Sequence, residues 1–296
     1  MQKLLLLIAM LLMPCFAFAQ KQVKRYYDTI GVKLVKEIYY VLPGPDSLKT
    51  GNYTRFHTNK EVAVMGQYDE KGQQTGTWQE FYRSGKKKLT CPYKDGKKNG
   101  TLLSYAEHGQ LLSKGLFVDN KLTDTLFAYY PNGALKSKAL FVNDWPEGLV
   151  TDYFMNGNKK TEINYQNSKP NGISREWYEN GKQKLEAFYK NGALEGNFKT
   201  WYFNGNLETE SVYLAGEKTG SFKNYAEAGY LQTEGNYLKG KVHGETKSYH
   251  ANGKIKSKVE YKEGKPSGLS YLYNNEGLLS ACLLYTSPSP RDRTRS

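Results

Sequence analysis

Cysteine is scarce in this sequence, which argues against a fold held together by disulfide bonds. Three cysteines occur in 296 residues. Cys15 lies in an apolar N-terminal segment and Cys282 in an atypical C-terminal tail, so Cys91 stands alone in the body of the chain. A lone cysteine cannot form an intramolecular disulfide, and the sequence has no zinc-ligand spacing. The stability of the fold must therefore come from packing, and we expect Cys91 to be a small buried residue.

Long apolar segments are also absent after the first 19 residues, so no later segment is expected to span a membrane. At the N-terminus, Lys3 precedes an apolar run at residues 4–13, and Ala17-Phe18-Ala19 follows. This order is typical of a secretory signal peptide. We predict that residues 1–19 are a signal peptide and that the mature chain is exported, to the periplasm, the outer membrane or the cell exterior. A lipoprotein acylated at Cys15 is the alternative, which the adjacent proline disfavours.

The last 15 residues have no similarity to the sequence before them. They begin CLLYTSPSPRD, which resembles the translation of a transposase-type sequencing adapter. We therefore predict that residues 282–296 are a non-native tail and that the natural sequence departs near Ala281. A natural disordered tail rich in serine, proline and arginine is the alternative.

What the sequence does contain is an internal repeat, which decides the architecture. A similar segment one residue longer occupies residues 51–75, and residues 20–50 resemble a degenerate first repeat that we expect to cap the array. Hairpin repeats are thus predicted over residues 51–281. The repeats of 24 residues begin, without insertion or deletion, at Gly76, Gly100, Asp124, Gly148, Gly172, Gly196, Gly220, Gly244 and Gly268.

Each repeat carries two turn signals. A glycine lies nine residues after the start of every repeat, and in five repeats it follows asparagine, as in Asn180-Gly181. Asn-Gly between β-prone runs is typical of a tight type I′ turn. A second turn closes each repeat, as in Asp95-Gly96, and we expect it to be the looser one. The predicted fold is all-β, an elongated tandem β-hairpin array forming a twisted antiparallel sheet.

Aromatic residues recur at fixed places in the repeats, and we expect them to stack between neighbouring hairpins. Trp78, like its equivalents in the other repeats, lies three residues before an aromatic residue, here Phe81. Strict β-strand alternation would put the two side chains on opposite faces of the sheet. A β-bulge, or a sheet covered on both faces, could account for this. The ladder aromatics of the first strand are Phe81, Tyr105, Tyr129, Tyr153, Trp177, Trp201, Tyr225, Tyr249 and Tyr273.

The residue after the ladder aromatic forms a candidate binding stripe. If these rings are exposed, the stripe and nearby lysines could stack on a sugar or contact a partner protein. If they are covered, they pack the second face of the sheet. The stripe consists of Tyr82, Tyr130, Phe154, Tyr178 and Tyr202.

Little in the sequence points to catalysis. Its four histidines are scattered and show no metal-ligand spacing, so no catalytic, metal or cofactor residues are predicted. Four acidic residues occupy one repeat position, where repetition would separate them by ~10 Å, too far for a retaining glycosidase pair. We expect a solvated polar face with cross-strand ion pairs. These residues are Glu162, Glu186, Glu210 and Glu234.

The repeat resembles the MORN repeat (membrane occupation and recognition nexus), and more closely its bacterial variant labelled a YwqK-type antitoxin repeat. The resemblance rests on Trp78, the ladder aromatics, the mid-repeat glycines and closing turns such as Gly96-Lys97, and it covers residues 51–281. It implies a β-hairpin array that serves as a scaffold or binding surface, without catalytic residues.

The function predicted from sequence is that of an exported, non-enzymatic scaffold at the bacterial cell envelope. Its partner would be another protein or an envelope component, and neither a cofactor nor nucleic acid is expected. The alternatives are a carbohydrate or anionic-lipid binding module and an antitoxin-like protein. The formal net charge of +13 suits an anionic partner, although it is equally compatible with simple solubility.

Overall fold

The structure is a computed structural model that describes residues 20–28, 31–44 and 48–285. Among these residues it contains β-strands and turns but no helix long and apolar enough to cross a bilayer. The predicted all-β class of tandem hairpins is confirmed. The strands are β1 Lys21–Tyr26, β2 Val35–Val41, β3 Lys49–Phe56, β4 Val62–Tyr68, β5 Gln74–Phe81, β6 Lys87–Lys94, β7 Lys97–Lys98, β8 Gly100–Tyr105, β9 Leu111–Val118, β10 Lys121–Tyr129, β11 Leu135–Val142, β12 Trp145–Pro146, β13 Gly148–Tyr153, β14 Lys159–Gln166, β15 Lys169–Trp177, β16 Gln183–Lys190, β17 Ala193–Trp201, β18 Leu207–Leu214, β19 Glu217–Tyr225, β20 Leu231–Leu238, β21 Lys241–Val242, β22 Gly244–Tyr249, β23 Ile255–Lys262, β24 Lys265–Tyr273 and β25 Leu279–Tyr285.

The chain divides into an N-terminal part, residues 1–109, and a C-terminal part, residues 110–296. Strands β1 to β8 belong to the first part and β9 to β25 to the second. Within each part, strands that follow one another along the chain pair antiparallel, as β5 does with β6 and β15 with β16. The short strands β7, β12 and β21 pair with the strand before them and precede a break of one residue.

The predicted chain segments meet this structure in different ways. In residues 20–50, β1 and β2 form a hairpin and β2 also pairs with β3, while a capping role for this segment stays a prediction. The predicted signal peptide lies outside the described residues, as do residues 286–296. Strand β25 continues across the predicted boundary, where Cys282 lies opposite Tyr271. The non-native origin of the tail also stays a prediction.

The closing turn is the tight one, so the prediction of a looser closing turn was wrong. Lys94 pairs directly with Lys97, which leaves a two-residue loop. Both loop residues have positive φ, 51° at Asp95 and 76° at Gly96, as a type I′ turn requires. The same first loop residue has positive φ in the other repeats, at Asp119, Asn143, Asn167, Asn191, Ala215, Lys239 and Glu263.

The mid-repeat turn is the longer one, and the type I′ turn predicted at Asn-Gly was also wrong. The Gly85 N–H donates to the Tyr82 carbonyl over 2.9 Å, and the Tyr82 N–H donates to the Lys86 carbonyl over 2.8 Å. In the Asn-Gly repeats only the glycine has positive φ. This is the pattern of a type I turn followed by a glycine bulge, which matches the twist of the flanking strands.

Asparagine is favoured in this turn by its side chain instead of its backbone. The Asn180 Oδ1 accepts the Lys182 N–H over 3.0 Å, which holds the turn. Its Nδ2 donates to the Phe203 carbonyl, in the corresponding turn of the next repeat, over 3.1 Å. Local bonds of the first kind are the usual reason for asparagine in turns. The second kind joins successive repeats.

Alternation along the first strand is unbroken, so Trp78 and the ladder aromatic Phe81 lie on opposite faces of the sheet, and the β-bulge at the ladder aromatic lies on the return strand. The strand register shifts between Glu80 and Phe81, which pair with Leu89 and Lys87 and leave one extra residue on the return strand. The equivalent shift occurs in the hairpins β10–β11, β13–β14, β15–β16, β17–β18, β19–β20, β22–β23 and β24–β25.

Within each part, the core lies on one face of the sheet, here called the packed face, where a large residue on one strand faces a small residue on the next. Trp78 pairs with Cys91, which is 1% exposed, and Phe222 pairs with Gly235. A Cβ atom on Gly235 would lie 2.9 Å from the Phe222 ring, so a large ring requires a small residue opposite. Where Thr246 replaces the ring, the opposite residue is Val259. The burial expected for Cys91 is confirmed, and it raises the pKa of the thiol.

Ring contacts in the packed face join the residues equivalent to Trp78 with the aromatic near the end of the return strand. Trp78 and Tyr93 have ring centroids 6.0 Å apart, and Phe222 and Tyr237 have centroids 4.7 Å apart. Such pairs add cohesion beyond the area they bury. The backbone carbonyls of the ladder aromatics accept hydrogen bonds from the preceding repeat.

Candidate functional site

The tyrosines of the predicted stripe connect each repeat to the next. Each begins the mid-repeat turn and is half-buried. Its hydroxyl donates to the backbone carbonyl of the ladder aromatic in the following repeat. The bonds run from Tyr82 to Tyr105 over 2.7 Å, from Tyr130 to Tyr153 over 2.8 Å, from Tyr178 to Trp201 over 2.8 Å and from Tyr202 to Tyr225 over 2.9 Å.

Two histidines make the same connection. The Nε2 of His57 lies 2.9 Å from the Phe81 carbonyl, and the Nε2 of His250 lies 2.9 Å from the Tyr273 carbonyl. Since a carbonyl only accepts, the ring nitrogen is the donor in both. Sequence reasoning treated His57 only as one of four scattered histidines, although it directly follows Phe56, which holds the ladder position of its repeat. Aligning that repeat by its mid-repeat turn would have placed His57 with the tyrosines.

This geometry gives the stripe a packing role. The fifth stripe residue, Phe154, is also half-buried, and the Lys160 ammonium lies 5.8 Å from its ring centroid. The hydroxyl groups of the four tyrosines are engaged within the protein, so the packing alternative is favoured over sugar stacking. Binding of a sugar or partner by the stripe stays a hypothesis.

The face opposite the packed face, here called the open face, carries an alternating row of charges in the C-terminal part. Each acidic residue of the row pairs in register with a basic residue on both neighbouring strands, apart from Glu162 at the end, which has Thr151 on one side. The charged row consists, in strand order, of Glu162, Arg175, Glu186, Lys199, Glu210, Lys223, Glu234 and Lys247.

Several members of the charged row form ion pairs, as the sequence analysis expected of this face. Arg175 Nε lies 2.8 Å from Glu186 Oε2, and Lys199 Nζ lies 2.9 Å from Glu210 Oε1. The hydrogen bond from Lys199 lowers the pKa of Glu210. The basic members Arg175, Lys199, Lys223 and Lys247 recur every 24 residues, which was the available sequence signal, but their pairing with the acidic members depends on the strand register.

Ladder tyrosines complete the row. The Tyr249 hydroxyl donates to Glu234 Oε1 over 2.6 Å, and the Tyr225 hydroxyl donates to Glu210 Oε2 over 3.1 Å. Partial burial and the bond to Glu234 raise the pKa of Tyr249 to about 12. The lowered pKa of Glu210 and the raised pKa values of Tyr225 and Tyr249 keep the Glu210 carboxylate ionised and both phenols protonated at neutral pH. This arrangement suits electrostatic recognition better than proton transfer.

Exposed apolar side chains lie beside the charged row on the open face. Val142 pairs directly with Trp145, and Ile173 pairs with Phe188. Because side chains two residues apart share a face, Ile173 lies on the same face as Arg175. Large exposed apolar clusters commonly mark interaction sites. The apolar patch consists of Leu140 (38% exposed), Val142 (49%), Trp145 (64%), Leu149 (52%), Ile173 (47%) and Phe188 (42%).

In later repeats the equivalent places hold smaller polar residues, which leaves a shallow groove. Ser221 and Asn236 pair directly where Ile173 and Phe188 pair in the earlier repeat. The groove has a volume of about 290 Å³ and is lined by these residues together with Lys223, Glu234 and Lys247. The open face therefore has an apolar ridge at one place and a charged groove at another.

The N-terminal part contains a carboxylate cluster that the sequence analysis missed. The Tyr53 hydroxyl donates to the buried Glu37 over 2.9 Å, and Arg25 and Lys49 lie 3.7 Å and 3.8 Å from the same carboxylate. The Lys49 ammonium lies 4.5 Å from the Tyr39 ring centroid. The cluster is satisfied by its own residues, so it stabilises the fold. The 12-residue spacing from Arg25 to Glu37 to Lys49 was the available signal.

Metal ligation has no support in the geometry. No group of three histidine, cysteine, aspartate or glutamate side chains that could hold a metal lies together within residues 20–28, 31–44 and 48–285. The exposed groups that the structure brings together are thus the charged row, the apolar patch and the groove.

Comparison with known repeat families agrees with the hairpin geometry. A family of repeats matches residues 74–95, 125–143, 146–167, 170–191, 194–215 and 242–263. Six repeats match the MORN repeat variant. MORN repeats generally bind proteins or membranes, and the six matches include most of the charged row. The chain has no match among curated protein sequences, so the antitoxin label rests on the sequence resemblance alone.

Solved structures give a weaker similarity. A crystal structure of TcdB2-TccC3 is 11% identical over 82% of this chain and 17% of that one, with a TM-score of 0.19. A structure of the Photorhabdus luminescens Tc holotoxin pore is 13% identical over 86% of this chain and 16% of that one, with a TM-score of 0.16. The chain spans less than a fifth of the length of these chains. TM-scores this low do not indicate a common fold.

Proposed function

We propose that this protein is a non-enzymatic binding protein of the bacterial cell envelope, which holds another protein on the open face of its C-terminal part. The observation that carries the proposal is the apolar patch around Trp145. Six large apolar side chains remain 38–64% exposed there, whereas Trp78 and Phe222 on the packed face are buried. Location at the envelope rests on the signal-like sequence of residues 1–19.

The patch has the make-up of a protein-binding surface. Fully burying a side chain of this kind contributes about 1.5–3 kcal/mol, so half-exposed members could each add roughly 1 kcal/mol to binding. A tryptophan exposed as far as Trp145 is the residue type that most often dominates an interface. The charged row beside the patch would orient the partner through its alternating signs.

An anionic surface is the second candidate ligand. Lys114 and Lys138 are exposed, and both pair in register with the uncharged Phe127 that lies between them. Cations beside exposed apolar side chains favour binding to an anionic headgroup or glycan. An antitoxin-like role is a further alternative, which would need the partner to be a toxin.

Site-specific crosslinking in the native host tests the proposal. A photo-crosslinking amino acid replaces Trp145 in one variant and Met155, which is 54% exposed at a mid-repeat turn, in the control. We expect one discrete protein to be captured from position 145 and not from position 155, with capture lost on adding Leu149→Asp. Equal capture from both positions, or none from 145, would contradict the proposal.

Vesicle binding distinguishes the second candidate ligand, an anionic surface, from a protein partner. Vesicles containing phosphatidylserine are sedimented with the purified chain, beside vesicles of phosphatidylcholine alone. Retention on the anionic vesicles that is lost in a Lys114→Gln, Lys138→Gln double variant would support the anionic surface. Protein capture that is unaffected by the double variant would support the protein partner.

A further inference from the structure

The charged row has a symmetry that a random polar surface lacks. Its signs alternate without exception across eight strands, from Glu162 on β14 to Lys247 on β22. An alternating row with an even number of members becomes its own complement when its order is reversed. A twofold axis parallel to the strands, between two copies laid face to face, performs this reversal.

We propose that the C-terminal part pairs face to face with a second copy of the same chain, about a twofold axis that passes between Lys199 and Glu210. The proposal deepens the proposed function, on which it rests for the open face, by naming the partner. Every charge of one row then meets its opposite in the other. The pairs are Lys199 with Glu210, Glu186 with Lys223, Arg175 with Glu234 and Glu162 with Lys247 of the second copy.

The row also specifies the register. Shifting one copy by a single strand would place like charges opposite each other along the whole row, and like charges at an interface cost several kcal/mol. Shifting by two strands restores the signs but leaves a pair of the row without a partner at each end. The centred arrangement is therefore the one with the most opposite-charge pairs.

The surface shape of the open face, considered apart from its charges, supports the same twofold axis. Reversal about the axis brings β15 and β16, which carry the exposed Ile173 and Phe188, opposite β20 and β19 of the second copy. These strands carry Asn236 and Ser221, which line the groove of about 290 Å³. A ridge thus meets a groove on both sides of the axis. Ile173, Phe188, Ser221 and Asn236 are not members of the charged row, and their shape agrees with the register that the row specifies.

An apolar pair farther along follows the same rule. The axis brings β11 of one copy opposite β24 of the other. These strands carry the exposed Leu140 and Leu269, which are 38% and 50% exposed. Two sheets that pack face to face keep their strand directions within about 30° of each other, as this arrangement requires.

The size of the surface predicts a weak dimer. Eight strands spaced ~4.8 Å apart extend ~38 Å across the sheet. Along a strand, the distance from the ridge, as at Ile173, to the ladder aromatic, as at Trp177, is ~14 Å. The sheet area covered is therefore on the order of 500 Å² per copy, or about 1,000 Å² in total, at the lower end for specific interfaces. We expect association that is reversible and sensitive to salt.

Sedimentation equilibrium of the purified full chain at low salt tests the proposal. The natural chain is expected to dimerise at protein concentrations of roughly 100 µM, and at least about tenfold more weakly at ~1 M salt, where the Debye length falls to about 3 Å. A chain that remains monomeric at low salt, or an association that salt does not weaken, overturns the proposal.

Charge reversal at the centre of the row provides the decisive variants. Lys199→Glu or Glu210→Lys alone places like charges opposite each other twice at the axis, so each variant is expected to be monomeric. Mixed in equal amounts, the two variants restore opposite charges and should form a one-to-one heterodimer. A mixture that stays monomeric although both variants show native circular dichroism refutes the axis.

A steric variant covers the case in which charge reversal prevents folding. Ser221→Trp fills the groove without changing any charge, and it should weaken dimerisation at least about tenfold. Phe203→Ala, at an exposed mid-repeat turn, is the matched control and should dimerise normally. Equal dimerisation of both variants overturns the proposal. A monomeric chain that still captures a different protein from position 145 would refute the dimer and keep the proposed function.

Discussion

The hydroxyl bonds between successive repeats can be tested by removing one and adding another. Tyr178 donates to the Trp201 carbonyl over 2.8 Å, and Phe154 occupies the equivalent place without a hydroxyl. A neutral hydrogen bond contributes about 0.5–1.5 kcal/mol to stability. Because the site is only half-buried, water can replace part of the bond, and we expect Tyr178→Phe to cost about 1 kcal/mol.

Two further variants separate the hydroxyl from the ring. Tyr178→Ala also removes the contact with Phe203, whose ring centroid lies 5.3 Å away, and should cost roughly 2–4 kcal/mol in total. Phe154→Tyr brings a hydroxyl to the place from which it can reach the Trp177 carbonyl. This variant should stabilise the protein by up to about 1 kcal/mol.

Guanidinium unfolding followed by circular dichroism and tryptophan fluorescence measures these differences. Repeat arrays depend on contacts between neighbours and need not unfold in one step, so hydrogen exchange at the flanking repeats provides a local check. If Tyr178→Phe costs as much as Tyr178→Ala, or if both conservative variants leave stability unchanged, the reasoning about the hydroxyl is wrong.

Three other predictions follow from the backbone, the core and titration. Ala215 has a φ of 50°, a backbone conformation that is less favourable for alanine than for asparagine. Ala215→Asn should therefore raise the free energy of unfolding, measured by denaturant titration, by about 0.5–1 kcal/mol. No gain in stability would contradict the turn assignment. A Cβ atom on Gly66 would overlap the Trp78 ring. Gly66→Ala should therefore lower the free energy of unfolding by at least about 1–3 kcal/mol and lower the melting temperature. An unchanged melting temperature would contradict this packing. Folding raises the pKa of Tyr249 from 10.0 to about 12, so the unfolded chain loses this proton at a lower pH than the folded chain. The contribution of Tyr249 to stability is therefore complete below pH 10 and is lost as the pH rises towards 12. Tyr249→Phe should therefore lose less stability than the natural chain over that range, and an identical loss would contradict the Glu234 bond.

Sequence was sufficient for the repeat and its elements because both depend on local signals. Strand pairs around the mid-repeat glycines lie where the 24-residue period places them, and Cys91 is buried as its small equivalents indicated. The same reasoning assigned the two turn types the wrong way round. Asn-Gly can supply a type I′ turn, but the bulge before the ladder aromatic moves the pairing by one residue and makes that loop longer.

Most of the candidate surface could not be read from the sequence. The partner of Glu186 is Arg175 in its own hairpin and Lys199 in the next; both recur at the 24-residue period, but only the strand register shows that they pair with Glu186. The role of Tyr178 depends on a carbonyl 23 residues away, which comes within reach only when repeats stack. The exposure of Trp145 was likewise invisible, since nothing in its local sequence distinguishes an exposed aromatic from a packed one.

The sequence by itself determined that this protein is an array of hairpin repeats of 24 residues each, since turn propensity and alternation act within one repeat. It also determined which residues recur, and therefore that the repeated residues chiefly serve turns and packing. Only the tertiary structure decided that the tight turn is the closing one, that the stripe tyrosines connect neighbouring repeats, and that charges alternate across the open face. Those features depend on how one repeat is placed against the next, and that placement is set by strand register and bulges acting over many residues.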